Sequence, residues 1–413
     1  MLRHTSYFDL LGTLEEGTPA WVATLSGLAV LNLVDAIRDD RTLIDRDWTS
    51  TKAVGDSVAS IREGSSVKRP LMAVMDEIRG AVRWSEINRA LFAYGKALDL
   101  DGLFKLAADV FEMVAELSRA ERDAALAIDA TTALGGSARR SGDWDRSNAG
   151  YAEAAYLADR LGDRASGLTV RVGTANTEIA RGNLPQAEAI LREVIDEASK
   201  SRLDAVLAVA YHSRSTVAHH RKQFADAVTF GHKALELTSN PTARDGIISD
   251  IAAGFAELGM RDAARDAQTV LSLTSRYQWT RSQASINLME LAAMDGNEAV
   301  FESYGRELRN TALDPRLRSY YLLYYGQGLL KFEKFGSAVV ALEEALAFAT
   351  AHRINQVAFE AEKSLGEART KTRLAVATPT PSEPVSQEIR QVADAFMHLR
   401  EAALSGSLAD RPG

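Results

Sequence analysis

The chain has 413 residues and a formal net charge of −8. It lacks the basic balance or basic stripe with which proteins bind nucleic acid, so a nucleic-acid partner is not expected. Cysteine is absent, which excludes disulfides, thiolate metal sites and cysteine nucleophiles and suits a reducing cytoplasm.

Residues 1–86 are expected to form irregular helices that precede a regular array. The most apolar run, Trp21–Val34, has helical spacing, but polar residues interrupt it and it is too short to span a bilayer. It therefore predicts a buried helix, and no membrane partner is expected. Two further helices are predicted near 50–62 and 69–83.

From about residue 88 the sequence is repetitive. Small residues recur at intervals of 40, 40, 40, 37 and 74 residues, and the residue twelve positions before each of them is also small. The first set is Ala107, Ser147, Ala187, Ala227, Ala264 and Ala338, and the second is Gly95, Gly135, Ala175, Ser215, Ala252 and Gly326. This pattern predicts pairs of antiparallel helices that approach closely where small side chains face each other.

Two other positions repeat with the same period. A large apolar residue stands three positions before most of the small ones, as at Phe104, Trp144, Leu184, Phe224 and Phe335, and is expected to fill the core. Glycine stands five positions before four of the small residues, at Gly102, Gly142, Gly182 and Gly259, where a helix is expected to end with a positive φ.

The pattern resembles the tetratricopeptide repeat (TPR) family over about 88–349, most clearly in 138–158, 219–237 and 327–349. The unit of about forty residues is longer than the thirty-four usual in that family, and the sequence around 280–310 departs from the pattern. The resemblance implies an all-α, right-handed superhelical solenoid of antiparallel helix pairs. It also implies a concave groove lined by the first helix of each pair.

The sequence divides into four parts. An irregular helical region covers 1–86, the TPR-like array 87–372, a linker rich in proline, threonine and serine 373–385, and an amphipathic helix with a tail 386–413. The C-terminal helix carries a narrow apolar stripe. Three roles stay open for it: a cap on the last repeat, a latch in the chain's own groove, or a dimer contact.

Polar and aromatic side chains at the groove positions of the family are the candidate partner-binding residues. They are Arg139, Arg140, Asn176, His212, Thr216, His219, Tyr320, Tyr324 and Gln327, with His220 and Lys331 beside them. Arg139 and Arg140 have a simpler explanation, since cations favour a helix C-terminus without any ligand. His212 and His219 lie seven residues apart, which does not suit a shared metal, and no metal is expected.

No catalytic or cofactor-binding motif is present, such as HExxH, GxxxxGK[ST], GxGxxG after a strand or GxSxG. The sequence therefore favours a non-catalytic, cytoplasmic scaffold or adaptor without a cofactor, which binds a peptide or partner protein in the groove. The alternative is a ligand- or peptide-responsive regulator whose superhelix changes shape on binding. Neither the partner nor the oligomeric state follows from the sequence.

Overall fold

A computed structural model describes residues 3–39, 48–80, 82–352, 354–370 and 386–406. Within these ranges the protein is all-α, with twenty helices and no strand. The chain forms two compact units, 1–206 and 207–413. The predicted linker, 373–385, and the tail beyond 406 lie outside the described residues.

In the described part of the chain before residue 84, there are four helices. They are α1 (Thr5–Leu11), α2 (Pro19–Asp39), α3 (Trp48–Ser60) and α4 (Lys68–Arg79). The last three match the sequence-based prediction, whereas α1 was not predicted. By length and composition alone α2 is apolar enough to cross a membrane. It packs against α3 and α4 and buries Leu28, Leu31 and Val34 in their shared core, as the central helix of a globular domain does.

Seven helix pairs follow, and each pair is joined by three residues. The first helices are α5 (Trp84–Leu100), α7 (Ala124–Arg140), α9 (Arg164–Ala180), α11 (Asp204–His220), α13 (Pro241–Glu257), α15 (Gln278–Met294) and α17 (Pro315–Lys331). The second helices are α6 (Phe104–Ala120), α8 (Trp144–Leu161), α10 (Leu184–Lys200), α12 (Phe224–Leu237), α14 (Arg261–Thr274), α16 (Glu298–Asn310) and α18 (Phe335–Ala351). Two single helices end the described chain, α19 (Asn355–Thr370) and α20 (Gln387–Leu404).

The small residues bring the two helices of a pair together, as predicted. Ser147 donates a hydrogen bond to the Gly135 carbonyl oxygen at 2.9 Å, and Ser215 donates to that of Ala227 at 2.7 Å. Both bonds join the two positions that are twelve residues apart. At Gly326 an added Cβ would lie 2.7 Å from the Leu342 side chain, so a larger residue there would require the leucine or one of the helices to shift.

The turn within each pair takes the backbone conformation that the glycines indicated. Gly102, Gly142, Gly182 and Gly259 all have φ between 74° and 81°. Lys222 and Glu333 occupy the same place in other pairs and also have a positive φ, 59° in each. The turn therefore imposes its conformation even where a side chain makes it costly.

The sixth pair, α15 and α16, covers residues 280–310, where the sequence departs from the repeat pattern. Its small positions hold Met289 and Phe301, both fully buried. Space for the Phe301 ring comes from Gly328 in α17, where an added Cβ would lie 2.2 Å from that ring. Two bulky residues and one compensating glycine thus preserve the helix pair while they erase its sequence signature.

The large residues that open the second helices lie at the edge of the core rather than inside it. Phe104 and Trp144 are half-buried, and each ring is covered by the guanidinium group of a residue at the end of a first helix. Arg140 lies 5.1 Å from the centre of the Phe104 ring, and Arg181 lies 5.7 Å from that of Trp144. These cation–π contacts join consecutive pairs within the N-terminal unit.

Helix α20 does not cap the last repeat. It packs on α14 and, along a shorter stretch, on α12, both of which are second helices. Ser386 caps its first turn by accepting a hydrogen bond from the Ile389 amide at 3.3 Å. The helix therefore lies on second helices of the C-terminal unit, whereas the family resemblance places the groove on the first helices.

Candidate functional site

Two of the candidate arginines end the first helix α7. Arg140 is ion-paired with Asp99, and its guanidinium covers Phe104, both in the preceding pair. Arg139 lies beside the Tyr151 hydroxyl, whose pKa is raised by burial and held back by the two arginine charges. Arg140 thus connects neighbouring pairs, which is a structural role in its own right. Asn176, the third candidate of this unit, is half-buried in α9.

The candidates of α11 have separate partners. His212 Nε2 lies 2.8 Å from Asp250 Oδ2 of α13. Thr216 donates a hydrogen bond to the carbonyl oxygen of His212 at 3.2 Å, and the His219 ring meets Phe224 edge-on at 5.3 Å. The two imidazoles therefore do not converge. Among the described residues, no group of three or more His, Asp and Glu side chains has a metal-binding arrangement.

The tyrosine candidates and Gln327 come together on α17. The rings of Tyr320 and Tyr324 lie 5.9 Å apart on the same side of the helix. Gln327 donates a hydrogen bond to Ser364 Oγ of α19 at 3.1 Å. Tyr321, in contrast, is buried and donates to the Gly305 carbonyl oxygen, as expected of a core residue.

Two carboxyl groups that sequence reasoning did not single out flank these tyrosines. Glu290 lies on α15 and Glu360 on α19. Burial raises the pKa of Glu290 to about 7, the Glu360 charge adds to this rise, and Lys331 opposes it. Burial also raises the pKa of Tyr324, and the charges of Glu290 and Glu360 raise it further. Near neutral pH, Glu290 is therefore only partly ionised.

The position of these residues within the repeat is a signal that could have identified them. Counted from the start of the helix, positions six, ten and thirteen are polar or aromatic in the last two first helices, α15 and α17, and in the single helix α19 that follows them. They are Gln283, Asn287 and Glu290 in α15, Tyr320, Tyr324 and Gln327 in α17, and Glu360, Ser364 and Glu367 in α19. We call these nine residues the polar face. It combines hydrogen-bonding groups, two aromatic rings and a surplus of carboxylates.

Comparisons with known proteins assign no function to this face. No family model matches the chain, and no curated protein does. Among solved structures, the chain is similar to BtubC (BKLC) from P. vanneervenii at 12% sequence identity. That match covers 61% of this chain and 94% of the other with a TM-score of 0.37, and it supports no conclusion about function.

Proposed function

We propose that this protein is a non-catalytic, cytoplasmic scaffold or adaptor of the TPR type. Its helix pairs form a right-handed superhelix, and the first helices line a groove that binds a peptide or a partner protein. The polar face carries the proposal. Helices α15, α17 and α19 present side chains at equivalent positions, and a surface that binds an extended segment needs such a series of contacts. Because the helices are already formed, the ordering cost of binding is low.

The chemistry of the polar face favours a basic partner segment. A lysine or arginine side chain can lie over the rings of Tyr320 and Tyr324 while carboxylates neutralise its charge. Such a cation stabilises the ionised form of Glu290, whose pKa of about 7 then falls. Affinity for a basic peptide should therefore increase from pH 6 to pH 8, since the carboxylate that attracts it becomes ionised over that range.

Selection of peptides from a random displayed library on the full-length protein tests this proposal. We expect peptides rich in lysine or arginine to be enriched, and their binding to weaken at least tenfold in the variants Tyr324→Ala and Glu360→Gln. Glu362→Gln is the matched control, because Glu362 is an exposed glutamate on the opposite side of the same helix. Enrichment of acidic or purely apolar peptides, or equal binding by all variants, would contradict the proposal.

A second candidate function is a ligand-responsive regulator, and a cavity in the N-terminal unit favours it. The cavity has a volume of about 510 Å³ and lies between α2, the turn 61–67 and α5. This volume is within the range of small-molecule sites. Its walls are mainly apolar, and they include Leu10, Leu14, Ala23, Ile61, Val67, Leu98 and Leu103.

Solution scattering separates the two functions. A regulator should change its radius of gyration when a medium-chain carboxylate, chosen as an apolar probe for the cavity, is added. Leu98→Trp, which fills the cavity, should abolish that change. A scaffold should keep the same dimensions with the probe and with a selected peptide.

A further inference from the structure

The groove between the second helices α12 and α14 holds α20 by one narrow stripe of side chains. Ile389, Val392 and Phe396 are buried on that stripe, whereas residues on the other side of α20, such as Glu388 and His398, are exposed. Phe396 is completely buried and meets Phe255 edge-on, with ring centres 5.9 Å apart. The groove thus contains a pocket shaped for an aromatic ring.

An ion pair fixes the direction of the bound helix. Arg400 donates a hydrogen bond to Asp266 Oδ1 at 2.6 Å, and the Asp266 side chain is only 9% exposed. A buried carboxylate requires a cationic partner, so the groove selects an arginine one turn beyond the aromatic residue. The four side chains stand at positions i, i+3, i+7 and i+11 of the bound helix.

We infer that the groove between α12 and α14 is a binding site for amphipathic helices with two branched aliphatic residues, an aromatic residue and an arginine at this spacing. Its resident occupant is α20, which a partner protein's helix of the same pattern displaces. In this recognition mode a helix lies in a groove, and its anchor residues, spaced one and two turns apart, make the specific contacts. This site lies on the second helices, so its failure would leave the proposal for the polar face untouched.

The position of α20 supports displacement. Sixteen residues, 371–386, separate it from α19. Among the described elements it packs mainly on α12 and α14, and its Phe396 also meets Phe255 of the first helix α13. A tethered helix competes at a high effective concentration, typically in the millimolar range. A partner helix must therefore bind better than α20 or find α20 weakened.

A labelled synthetic peptide of residues 386–406 is the probe. Fluorescence anisotropy should show weak binding to the full-length wild-type protein, because α20 occupies the groove. The full-length variant Phe396→Ala should bind the peptide at least tenfold more tightly, since its own helix is weakened. His398→Ala is the matched control, because that side chain is 72% exposed, and it should behave as the wild type.

Two peptide variants test the recognition itself. The peptide with Phe396→Ala should not bind, and the peptide with Arg400→Met should bind the protein variant Phe396→Ala at least fivefold more weakly than the native peptide does. A second protein variant, Ile389→Ala, should show the same gain of peptide binding if Phe396→Ala folds poorly. Equal binding by wild type and both protein variants, or no binding at all, would overturn the inference. Concentration-dependent dimers seen by sedimentation would overturn it too, because they would make a second copy the occupant.

Discussion

The second helices of the repeat pairs are of two kinds, although they arise from one sequence pattern. In α10 only Ala187, Leu191, Val194 and Ala198 are buried, and these face the first helices. In α14 the outward residues Ala263, Asp266 and Val270 are buried as well, because α20 covers them. In α6 further residues are buried, including Leu106 and Met113, in the core shared with the N-terminal helices.

Single positions record this difference. Position ten of a second helix is Met113 in α6 and Val270 in α14. In four other second helices it is glutamate, at Glu153, Glu193, Glu307 and Glu344. Among the second helices, position six is an aspartate only in α6, which α1 contacts, and in α14, which α20 contacts. There Asp109 accepts a hydrogen bond from Ser6 of α1, and Asp266 accepts one from Arg400 of α20. An apolar residue and an acid at these two positions therefore mark α6 and α14. Helix α12, which α20 contacts along a shorter stretch, has Thr229 and Lys233 there.

The largest loss of stability is expected when a covered second helix receives the residue that an uncovered one has at position ten. Val270→Glu puts the residue of an uncovered helix under α20, so a carboxylate must lose its hydration or the cover must detach. We expect the free energy of unfolding to fall by more than about 3 kcal/mol. Amide hydrogen exchange should show α20 losing protection first.

The reverse exchange is the control. Glu344→Val, on the uncovered helix α18, should change the free energy of unfolding by no more than about 0.5 kcal/mol. Unchanged protection of α20 in Val270→Glu would show that α20 does not depend on position ten.

A smaller loss of stability is expected at the sixth pair, which has bulky residues at the positions that are small in the other pairs. Gly328→Ala places a methyl group against the Phe301 ring, so helix α17 must shift. Overpacking of this kind costs about 1 to 3 kcal/mol. Chemical denaturation measures the loss. Gly336→Ala is the control, since an added Cβ there meets nothing within 4 Å.

The double variant Phe301→Leu with Gly328→Ala should recover part of the stability lost in Gly328→Ala. A loss equal to that of Gly328→Ala alone would mean that the Phe301 ring is not what the added methyl group meets.

The smallest change in stability is expected at Glu290, a poorly solvated carboxylate on the first helix α15. The pKa of Glu290 is raised to about 7, so at pH 8 folding must keep an ion in a poorly solvated place. Glu290→Gln should therefore raise the free energy of unfolding at pH 8 by about 1 kcal/mol. The gain should decrease as the pH falls from 7 and vanish below about 4.5, where the group is protonated in both states. Denaturation midpoints at pH 4, 6 and 8 provide the test, and a gain that is independent of pH would contradict the assignment.

The helix pairs could be predicted from the sequence because their packing depends on residues close together in the chain. Ser147 and Gly135 are twelve residues apart, and the turn between them is only three residues long. The sixth pair was hidden because Phe301 relies on Gly328, a residue of the next pair. Local pattern does not reveal a compensation that lies outside the unit.

The environment of the candidate site was less predictable. The aromatic residues Tyr320 and Tyr324 follow from the repeat register. The pKa of Glu290, in contrast, is raised first by burial and then by the charge of Glu360, which lies seventy residues later in the chain. The docking of α20 was beyond prediction for a related reason. The apolar stripe of α20 predicts that this helix packs on another surface. Which surface it is becomes clear only when Met113 and Val270 are compared with the glutamates at position ten of other second helices.

The repeats differ in length mainly in their second helices. First helices are always 17 residues long, whereas the 37-residue units shorten only the second helix, to 13 or 14 residues in α12, α14 and α16. About one helical turn has been removed, so the residues before the deletion keep their rotation about the helix axis. The C-terminal end of a second helix is thus where this architecture tolerates insertions and deletions. Evolution or a designer can lengthen or trim a unit there by whole turns without changing which side chains meet the neighbouring helix.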